Sequence, residues 1–475
     1  MIEHLSSTDS SMLAIEDPDH GIHLQIIYIF EGTPPTFAEF RETVEQRLLG
    51  APRFRQRVAR VPFNLGRPAW VEDERFDLSY HLRHTALPAP GSEEELRALS
   101  NRLLEQQLDL RRALWEMWLV EGLAGNRFAV IHRVHHCMVD GISTQDISGM
   151  MFSATPEEDR PDTDEWTPGG TPSDARLVLS GLTDLAAHSR AAVSGLVRGS
   201  RSPLSMVRNV VQSARTLGTV TGVTSAAPPT ILNAPGGPRR RTDWVRVPLD
   251  DLRATKNAHD TTLNNIVLAA CAGALRRYFL RQGEPLVDGM RAMVPVSVRL
   301  DTQKGALGNQ VTAIYPELPI GEADPAKRVA AVEAEVTRLR GTQGVAMQRL
   351  MDVGGFAPPT IMEQVQRLLL RNPKTHNLLI SNVPGPSKPF YLRGRPMVEV
   401  LPAGATMVRH GLNIVMVSYN GTLFISVCTD PDVVPDAAGF AADLEASFAE
   451  LHESAATRVA AAAPQERSRR ATVVR

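Results

Sequence analysis

Two largely apolar segments, residues 114–123 and 127–134, are separated only by an Ala-Gly-Asn turn at residues 124–126, and the second is rich in β-branched side chains. This pattern is typical of two antiparallel strands joined as a hairpin. The second segment ends directly before residues 135–141, which read His-His-Cys-Met-Val-Asp-Gly. The sequence therefore predicts a sheet that carries a polar motif at the end of one of its strands.

The residues of this motif are suited to acid–base chemistry. Histidine is the side chain that most readily exchanges a proton near neutral pH. Asp140 can hold a polar network in place, and Gly141 lets the backbone come close to a substrate. Side chains alternate along a strand, so His135 and His136 should point to opposite faces if the strand continues through them. One histidine would then face a cavity as a base while the other packs inside.

The histidine pair taken by itself admits other interpretations. His132, His135, His136 and Asp140 lie close together, but the ligands of a zinc site need a matching geometry, and a strand sends neighbours to opposite faces. We expect no metal. Cys137 could be a nucleophile with His136 as its base, although adjacent strand residues do not easily hydrogen-bond to each other. A structural polar pair buried between two lobes is a third interpretation.

Length and composition limit the class of protein. A chain of 475 residues with 43% hydrophobic residues is too long for one ordinary core, so two lobes of roughly 150–250 residues are expected. The formal net charge of −2 does not indicate a nucleic-acid partner. The three cysteines, Cys137, Cys271 and Cys428, form no motif, which favours a reducing cytoplasm over a disulfide framework.

Membrane signals are limited to one unusual stretch. We expect no signal peptide, because the first residues lack a basic region followed by an apolar one. We find no apolar run of the ~20 residues needed to cross a bilayer, so any membrane contact should be peripheral. Residues 185–242 contain no Asp or Glu but eight arginines, at positions 190, 198, 201, 208, 215, 239, 240 and 241. Such a basic amphipathic stretch suits an anionic lipid surface, and the alternative is a solvated crossover helix covering the protein body.

Local patterns predict the remaining elements. Capping boxes at Thr36 with Glu39 and at Ser92 with Glu95 indicate two helix starts, and Asp324-Pro325 indicates a third. Further helices are predicted over 143–151 and 263–280, and strands over 23–30, 293–300, 311–318, 378–383, 412–419 and 423–427. The predicted parts are a first lobe over 1–155, a linker with basic amphipathic crossover helices over 156–242, a second lobe over 243–455 and a disordered tail over 456–475.

The full pattern resembles a known enzyme family. His135-His136, three residues and then Asp140-Gly141 resemble the active-site motif of the acyl-CoA-dependent acyltransferases with the chloramphenicol-acetyltransferase fold, which peptide-synthetase condensation domains share. Other segments are similar to those of the bacterial wax ester synthase/diacylglycerol acyltransferase family. These segments are Leu5 to Asp9, Leu114 to Trp118 with Glu121 to Leu123, Asn264 to Ala269, Met293 to Arg299, Gly308-Asn309 and Asn377 to Pro386. In this order they extend over nearly the whole chain.

The resemblance implies a fold and a reaction. The fold is α/β, with two chloramphenicol-acetyltransferase-like lobes, each a mixed sheet flanked by helices, and an active-site tunnel at their interface. The reaction moves a long-chain acyl group from acyl-CoA to diacylglycerol or to a long-chain alcohol. His136 would be the general base, and transfer would be direct, without an acyl-enzyme. Acyl-CoA is a substrate, so no cofactor is expected. The expected location is cytoplasmic, at the surface of a membrane or lipid droplet.

The resemblance also implies roles for the other residues of the site. His135 would orient the strand, and Asp140 would pair with Arg299 from the second lobe. Candidate donors to the oxyanion are the backbone near Gly141 and the side chains of Ser381 and Asn382. Apolar side chains that could line the acyl channel, or simply belong to the core, are those of Leu114, Trp115 and Met138.

Two positions depart from the family pattern. Ala113 stands where proline is usual, which loses a rigid turn at small cost. Asn264 is retained, but Asn265 stands where aspartate is usual, so a charge is missing. One alternative is therefore a catalytically weak paralogue that binds lipid or acyl-CoA. Another is a condensing acyltransferase of peptide or polyketide synthesis, although no motif of a carrier domain is evident.

Overall fold

A computed structural model describes residues 2–17, 19–47, 51–138, 144–157, 170–184, 226–297, 311–354, 375–386, 388–404 and 409–473. The helices are α1 (Ser7–Ile15), α2 (Phe37–Arg47), α3 (Leu78–His81), α4 (Glu93–Leu104), α5 (Thr144–Met151), α6 (Leu249–Ala258), α7 (Leu263–Gln282), α8 (Pro325–Gly354) and α9 (Ala437–Val473). Residues 174–184 are also helical. The strands are β1 (Glu3–His4), β2 (His23–Glu31), β3 (Gln56–Ala59), β4 (Ala69–Glu72), β5 (Leu82–Ala86), β6 (Trp115–Leu123), β7 (Arg127–His135), β8 (Arg241–Pro248), β9 (Ala292–Ser297), β10 (Val311–Ile314), β11 (Leu378–Val383), β12 (Tyr391–Leu392), β13 (Arg395–Ala403), β14 (Leu412–Tyr419) and β15 (Thr422–Thr429).

The predicted hairpin forms the middle of a six-stranded sheet with the order β12-β13-β2-β7-β6-β5. β6 and β7 are antiparallel, and Gly125 and Asn126 in the turn between them have φ values of 78° and 53°. Two successive positive φ angles give the turn a twist that matches the twist of the strands. β7 is almost wholly buried, whereas β6 alternates between buried and partly exposed residues over its first half.

A second sheet has the order β10-β9-β11-β14-β15-β8. Its pairs β9–β11 and β11–β14 are parallel and the others are antiparallel. Helix α7 is buried along most of its length and packs in the same core as this sheet, because its Ala- and Gly-rich middle allows close approach. The sequence prediction of a two-lobed α/β protein with mixed sheets is confirmed.

The second half of the chain contributes strands to the first sheet. β13 follows β11 and β12 in sequence, yet it pairs with β2 of the first sheet, with Val400 opposite Tyr28. Contacts from the second sheet hold it there: the Tyr419 hydroxyl donates to the Met397 carbonyl at 3.2 Å, and the Ser426 hydroxyl donates to the Pro402 carbonyl. Neither β13 nor its place in the first sheet was predicted from the sequence.

A third, three-stranded sheet, β1-β4-β3, lies beside the first lobe. The helix over residues 174–184 packs on this sheet through Leu177. Its Ser180 hydroxyl lies 2.8 Å from the His4 ring, and Asp184 pairs with Arg67 at 2.8 Å. This helix is the beginning of the predicted linker, most of which falls at 158–169 and 185–225, outside the described residues.

Several local predictions are confirmed. Ser92 and Glu95 form a reciprocal capping box at α4, and Thr36 and Glu39 form one at α2. Asp324 accepts the Ala326 N–H at 2.8 Å at the start of α8. The expected disordered tail is wrong for residues 456–473, which continue α9, because alanine, glutamate and arginine favour the helix.

Candidate active site

The His-His motif lies at the point where β7 ends. The strand runs to His135, and residues His136–Met138 form one turn of 3₁₀ helix. The His136 N–H donates to the Ile22 carbonyl at 2.9 Å, which anchors the start of this turn to the chain before β2. The strand ends one residue beyond the predicted range of 127–134 and does not continue through His136, so the turn rather than strand alternation separates the two rings.

The two histidines lie in different environments. The His136 side chain is partly exposed, whereas His135 is fully buried. Nδ1 of His135 accepts the Cys137 backbone N–H at 3.2 Å, and the Cys137 sulfur lies 3.0 Å from the same nitrogen. On the other side of the ring, Nε2 lies 3.4 Å from a carboxylate oxygen of Glu16. The geometry therefore leaves His136 as the accessible ring of the pair.

Cys137 is poorly suited to be a nucleophile. Its side chain is 2% exposed, and burial, followed by the nearby Asp9 and Glu16 carboxylates, holds the pKa of its thiol well above the ordinary range. A thiol needs to lose its proton to become a strong nucleophile. Its ring neighbour is His135 and not His136, so the pairing considered in the sequence analysis is not the one that forms.

Three residues of the predicted site lie outside the described residues. These are Asp140, Gly141 and Arg299, so the ion pair between Asp140 and Arg299 stays a prediction. The helix α5 follows at Thr144, close to the start predicted at residue 143. Its Ser148 hydroxyl donates to the Tyr28 hydroxyl at 3.4 Å, which ties the segment after the motif to the first sheet.

The three apolar candidates belong to the core of the first lobe. Leu114, Trp115 and Met138 are 0%, 0% and 4% exposed. The Trp115 indole N–H donates to the Phe54 carbonyl at 2.7 Å, and the ring stacks on His81 with centroids 4.6 Å apart. Packing accounts for these side chains, and their part in an acyl channel stays a prediction.

The asparagine pair marks the beginning of α7. Asn264 and Asn265 are its second and third residues. The Asn265 side-chain amide donates to the Thr261 hydroxyl at 3.0 Å, and its backbone N–H donates to the Thr262 hydroxyl, which caps the helix. Asn265 is 4% exposed. These contacts are local to the helix start.

The proposed oxyanion donors lie in the other sheet. Ser381 and Asn382 are half-buried residues of β11, opposite Val415 and Met416 of β14. The histidine motif lies at the end of β7 in the first sheet. The structure thus places the two sets of residues on different lobes, as a site between lobes requires, and their role stays a prediction.

Sequence reasoning missed the polar residues that surround His135. His23 is directly opposite His135 across β2 and β7, and burial, then Arg133 and His135, lowers the pKa of its ring well below the ordinary value. Glu16, just after α1, reaches His135 across more than a hundred residues of sequence. No local pattern marks such a contact. Among the described residues, no group of three or more His, Cys, Asp or Glu is placed to hold a metal ion.

Comparison with known proteins identifies the family. The family model of the wax ester synthase/diacylglycerol acyltransferase catalytic domain matches residues 5–267, and the model of the family's C-terminal domain matches residues 307–452. The chain is 30% identical over 457 residues to tgs1 of Mycobacterium tuberculosis (strain CDC 1551 / Oshkosh), described as "Probable diacyglycerol O-acyltransferase"; the match covers 95% of this chain and 96% of that one.

Solved structures agree with the sequence relatives. The wax ester synthase/diacylglycerol acyltransferase from Marinobacter aquaeolei VT8 matches with a TM-score of 0.65 and 26% identity, over 95% of this chain and 100% of that one. The starter condensation domain of rhizomide synthetase matches with a TM-score of 0.57 and 13% identity, over 96% and 94%, and so shares the fold. The predicted chloramphenicol-acetyltransferase-like fold is confirmed. The chain belongs to the wax ester synthase/diacylglycerol acyltransferase family and is an acyltransferase.

Proposed function

We propose that this acyltransferase moves a long-chain acyl group from acyl-CoA to the hydroxyl of diacylglycerol or of a long-chain alcohol, with His136 as the general base. The observation that carries the proposal is the difference between the two histidines. His136 is the partly exposed ring on an anchored turn, and His135 is buried and committed to Glu16 and Cys137. Only an accessible ring can receive a proton from a substrate.

The proposed reaction needs one proton carrier. The neutral His136 ring takes the proton of the acceptor hydroxyl as its oxygen bonds to the thioester carbonyl carbon. A tetrahedral oxyanion forms, and its collapse breaks the carbon–sulfur bond. The protonated ring then returns the proton to the departing CoA thiolate, so the base is regenerated. A covalent acyl-enzyme is not required when both substrates are held together, and the burial of Cys137 disfavours one at that thiol.

A matched pair of histidine variants tests the base. Purified protein is incubated with palmitoyl-CoA and either diacylglycerol or hexadecanol, and CoA release and ester are measured. His136→Ala should lower the rate by about 100-fold or more, as loss of a general base does. His84→Ala, which removes an exposed ring paired with Glu121, should keep wild-type activity. Wild-type turnover by His136→Ala would refute the proposal. The ratio of the two esters identifies the preferred acceptor.

We also propose that the protein works at the surface of a membrane or lipid droplet. The described residues contain no helix that is both long and apolar enough to span a bilayer. However, their exposed large apolar side chains concentrate in one corner of the first lobe: Phe63, Leu65, Leu179 and Leu182, with only Leu280 and Val459 elsewhere. The loop that carries Phe63 and Leu65 adjoins the helix over 174–184, because Gly66 packs directly on Gly181 of that helix.

Both the apolar corner and the sequence after it suit an anionic lipid surface. Leu179 and Leu182 lie on the side of the helix opposite Leu177, which packs on the small sheet. The chain then continues into residues 185–225, which carry five of the eight arginines and no acidic residue. The other three, Arg239, Arg240 and Arg241, pair with carboxylates of the protein and are not counted toward a lipid surface. Exposed apolar side chains beside a basic stretch are the combination that binds peripheral proteins to anionic lipid.

Vesicle co-sedimentation tests the surface. The double variant Leu179→Ser/Leu182→Ser should bind vesicles of phosphatidylcholine and phosphatidylglycerol less tightly than wild type by about tenfold or more. Leu280→Ser, which removes an equally exposed leucine on α7, should bind as wild type does. Unchanged binding by the double variant would refute a docking role for this corner. Equal loss of binding in Leu280→Ser would show that exposed leucines anywhere on the protein contribute, and not this corner in particular.

A further inference from the structure

The N-terminal helix reaches the histidine motif through one buried carboxylate. Glu16 follows α1 in an extended conformation, and its side chain is only 8% exposed. Its Oε2 lies 3.4 Å from Nε2 of His135, whose side chain is 0% exposed. Neither of these two atoms has a hydrogen-bond partner among the described residues, so the carboxylate acts on the ring through its charge.

The contacts of His135 determine which of its nitrogens carries the proton. The Cys137 backbone N–H donates to Nδ1 at 3.2 Å, so Nδ1 must be an acceptor and cannot carry a proton. In the neutral ring the proton is then on Nε2, which is the nitrogen that faces Glu16. The Oε2 atom of Glu16 lies 3.4 Å from this nitrogen without hydrogen-bond geometry, and its negative charge favours the tautomer that places the proton on Nε2 and leaves Nδ1 free to hold Cys137.

This tautomer bears on the position of His136. The backbone of the 3₁₀ turn is held at two consecutive residues: the His136 N–H donates to Ile22, and the Cys137 N–H donates to the His135 ring. If the His135 proton moved to Nδ1, the ring would present a donor to the Cys137 N–H and the second contact would be lost. The backbone of the turn that carries His136 would then lose this contact with the His135 ring.

We propose that Glu16 is a positioning residue for the acyl transfer: its carboxylate sets the His135 tautomer, and His135 in turn fixes the turn that presents His136. The proposal rests on the proposed function insofar as His136 is the base. The Glu16 side chain is buried against His135 and would act through that ring. At metal sites, partners that orient a histidine ring in this way are worth about 10- to 100-fold in affinity or activity, and we take this range as the expected scale.

Two variants of equal length separate the polar contact from packing. Glu16→Gln keeps a partly negative oxygen that can face Nε2, whereas Glu16→Met fills the same space without a polar atom. We expect Glu16→Gln to keep kcat within about threefold of wild type and Glu16→Met to lower kcat about 10- to 100-fold, with KM for palmitoyl-CoA unchanged. Glu45→Met, at an exposed glutamate of α2, is the matched control and should have wild-type kinetics.

A spectroscopic measurement reads the tautomer without using activity. In protein labelled with ¹³C and ¹⁵N at histidine, two-bond correlations of the ring nitrogens distinguish the two tautomers, and His135→Gln identifies the signal. We expect the Nε2–H form in wild type and in Glu16→Gln, and a mixture of both forms in Glu16→Met. The measurement needs only folded protein, so a variant with low stability does not leave the proposal untested.

The possible failures can be told apart. Wild-type kcat in Glu16→Met, an equal loss in Glu16→Gln and Glu16→Met, or the Nδ1–H form of His135 in wild type would each overturn the role of Glu16. If instead His136→Ala stays active, the proposed base is wrong, whereas the tautomer measurement still decides whether Glu16 orients His135. A raised KM with unchanged kcat in Glu16→Met would also overturn positioning, because it would indicate a loss of substrate binding.

Discussion

Cys137 lies within the motif, yet its environment makes it inert. It is 2% exposed, and burial together with the Asp9 and Glu16 carboxylates raises the pKa of its thiol. We expect Cys137→Ala to keep most of the acyltransferase activity, because the backbone N–H that binds His135 remains. Alkylation by iodoacetamide, followed by mass spectrometry, should be slow at Cys137 in folded protein and fast after denaturation. Rapid alkylation of folded protein with loss of activity would contradict this.

The buried ring of His132 should make the stability of the protein depend on pH. It is fully buried, and neither ring nitrogen has a hydrogen-bond partner among the described residues. Burial lowers the pKa of its ring to about 4. Between pH 6.5 and 4 the unfolded chain binds a proton at this ring and the folded chain does not. The free energy of unfolding therefore decreases as the pH falls through this window.

Replacing the His132 ring should remove the free-energy cost of burying an unpaired polar group. We therefore expect His132→Leu to be more stable than wild type. Its advantage should grow by about 2 kcal/mol from pH 7 to pH 5. Urea unfolding at the two pH values measures this, with His84→Leu at an exposed histidine as control. An advantage of His132→Leu that is independent of pH would show that the buried ring is not the titrating group.

At the scale of one element, the contacts at the start of α7 bear on the asparagine at position 265, where the family usually has aspartate. The Asn265 amide donates to Thr261, and its backbone N–H is capped by Thr262, so the residue supports the first turn of the helix. We expect Asn265→Asp to keep kcat within about twofold, and Asn265→Ala to lower the free energy of unfolding by about 1 kcal/mol. Kinetics and urea unfolding check both. A large gain of activity in Asn265→Asp would show that the family's aspartate acts through its charge.

Short-range elements were predictable from the sequence, and their partners were not. The capping boxes at Ser92 and Thr36 form because both residues of each box lie within one turn. The hairpin forms because its turn residues tolerate positive φ. By contrast, the pairing of β13 with β2 and the contact of Glu16 with His135 join residues far apart in sequence. Their local patterns are those of any strand or loop, so only the tertiary fold brings them together.

The candidate site was predictable as a motif but not as an arrangement. The sequence identified His135 and His136 and the family resemblance assigned their roles, whereas the burial of His135 against Glu16 depends on where α1 packs. For the C-terminal tail, composition was given too much weight. A polar, alanine-rich composition suggested disorder, but helix propensity extends α9 to Val473. Ala455 is the last buried residue of this helix among the described side chains.

At the scale of the whole molecule, a charge network joins the lobes. Arg246 of β8 donates to Glu93 of α4 at 2.7 Å and to Glu399 of β13 at 2.6 Å. The two carboxylates come from opposite halves of the chain, and Arg246 lies between them. Nearby, the Thr242 hydroxyl donates to the Asn101 side chain at 2.7 Å, which adds a second contact between α4 and β8. The network therefore lies at the junction of both sheets.

Removing the central arginine should weaken this junction. We expect Arg246→Ala to lower the free energy of unfolding by about 1–3 kcal/mol, because it leaves two carboxylates without their shared donor. Arg253→Ala, which breaks an exposed ion pair with Asp250 on one helix, should cost less than about 0.5 kcal/mol. Calorimetry measures both. An equally small effect of the two variants would show that the network does not couple the lobes.

The pairing of β13 with β2 also affects how the protein folds during synthesis. During translation, β2 and β7 leave the ribosome long before β13, which ends at Ala403. Until then β2 is the outer strand of the growing sheet, with an open row of backbone donors and acceptors that invites pairing with other chains. The first sheet is therefore completed only after the last quarter of the polypeptide has been made. A ribosome that stalls before β13 holds a nascent chain whose β2 backbone can pair with other chains.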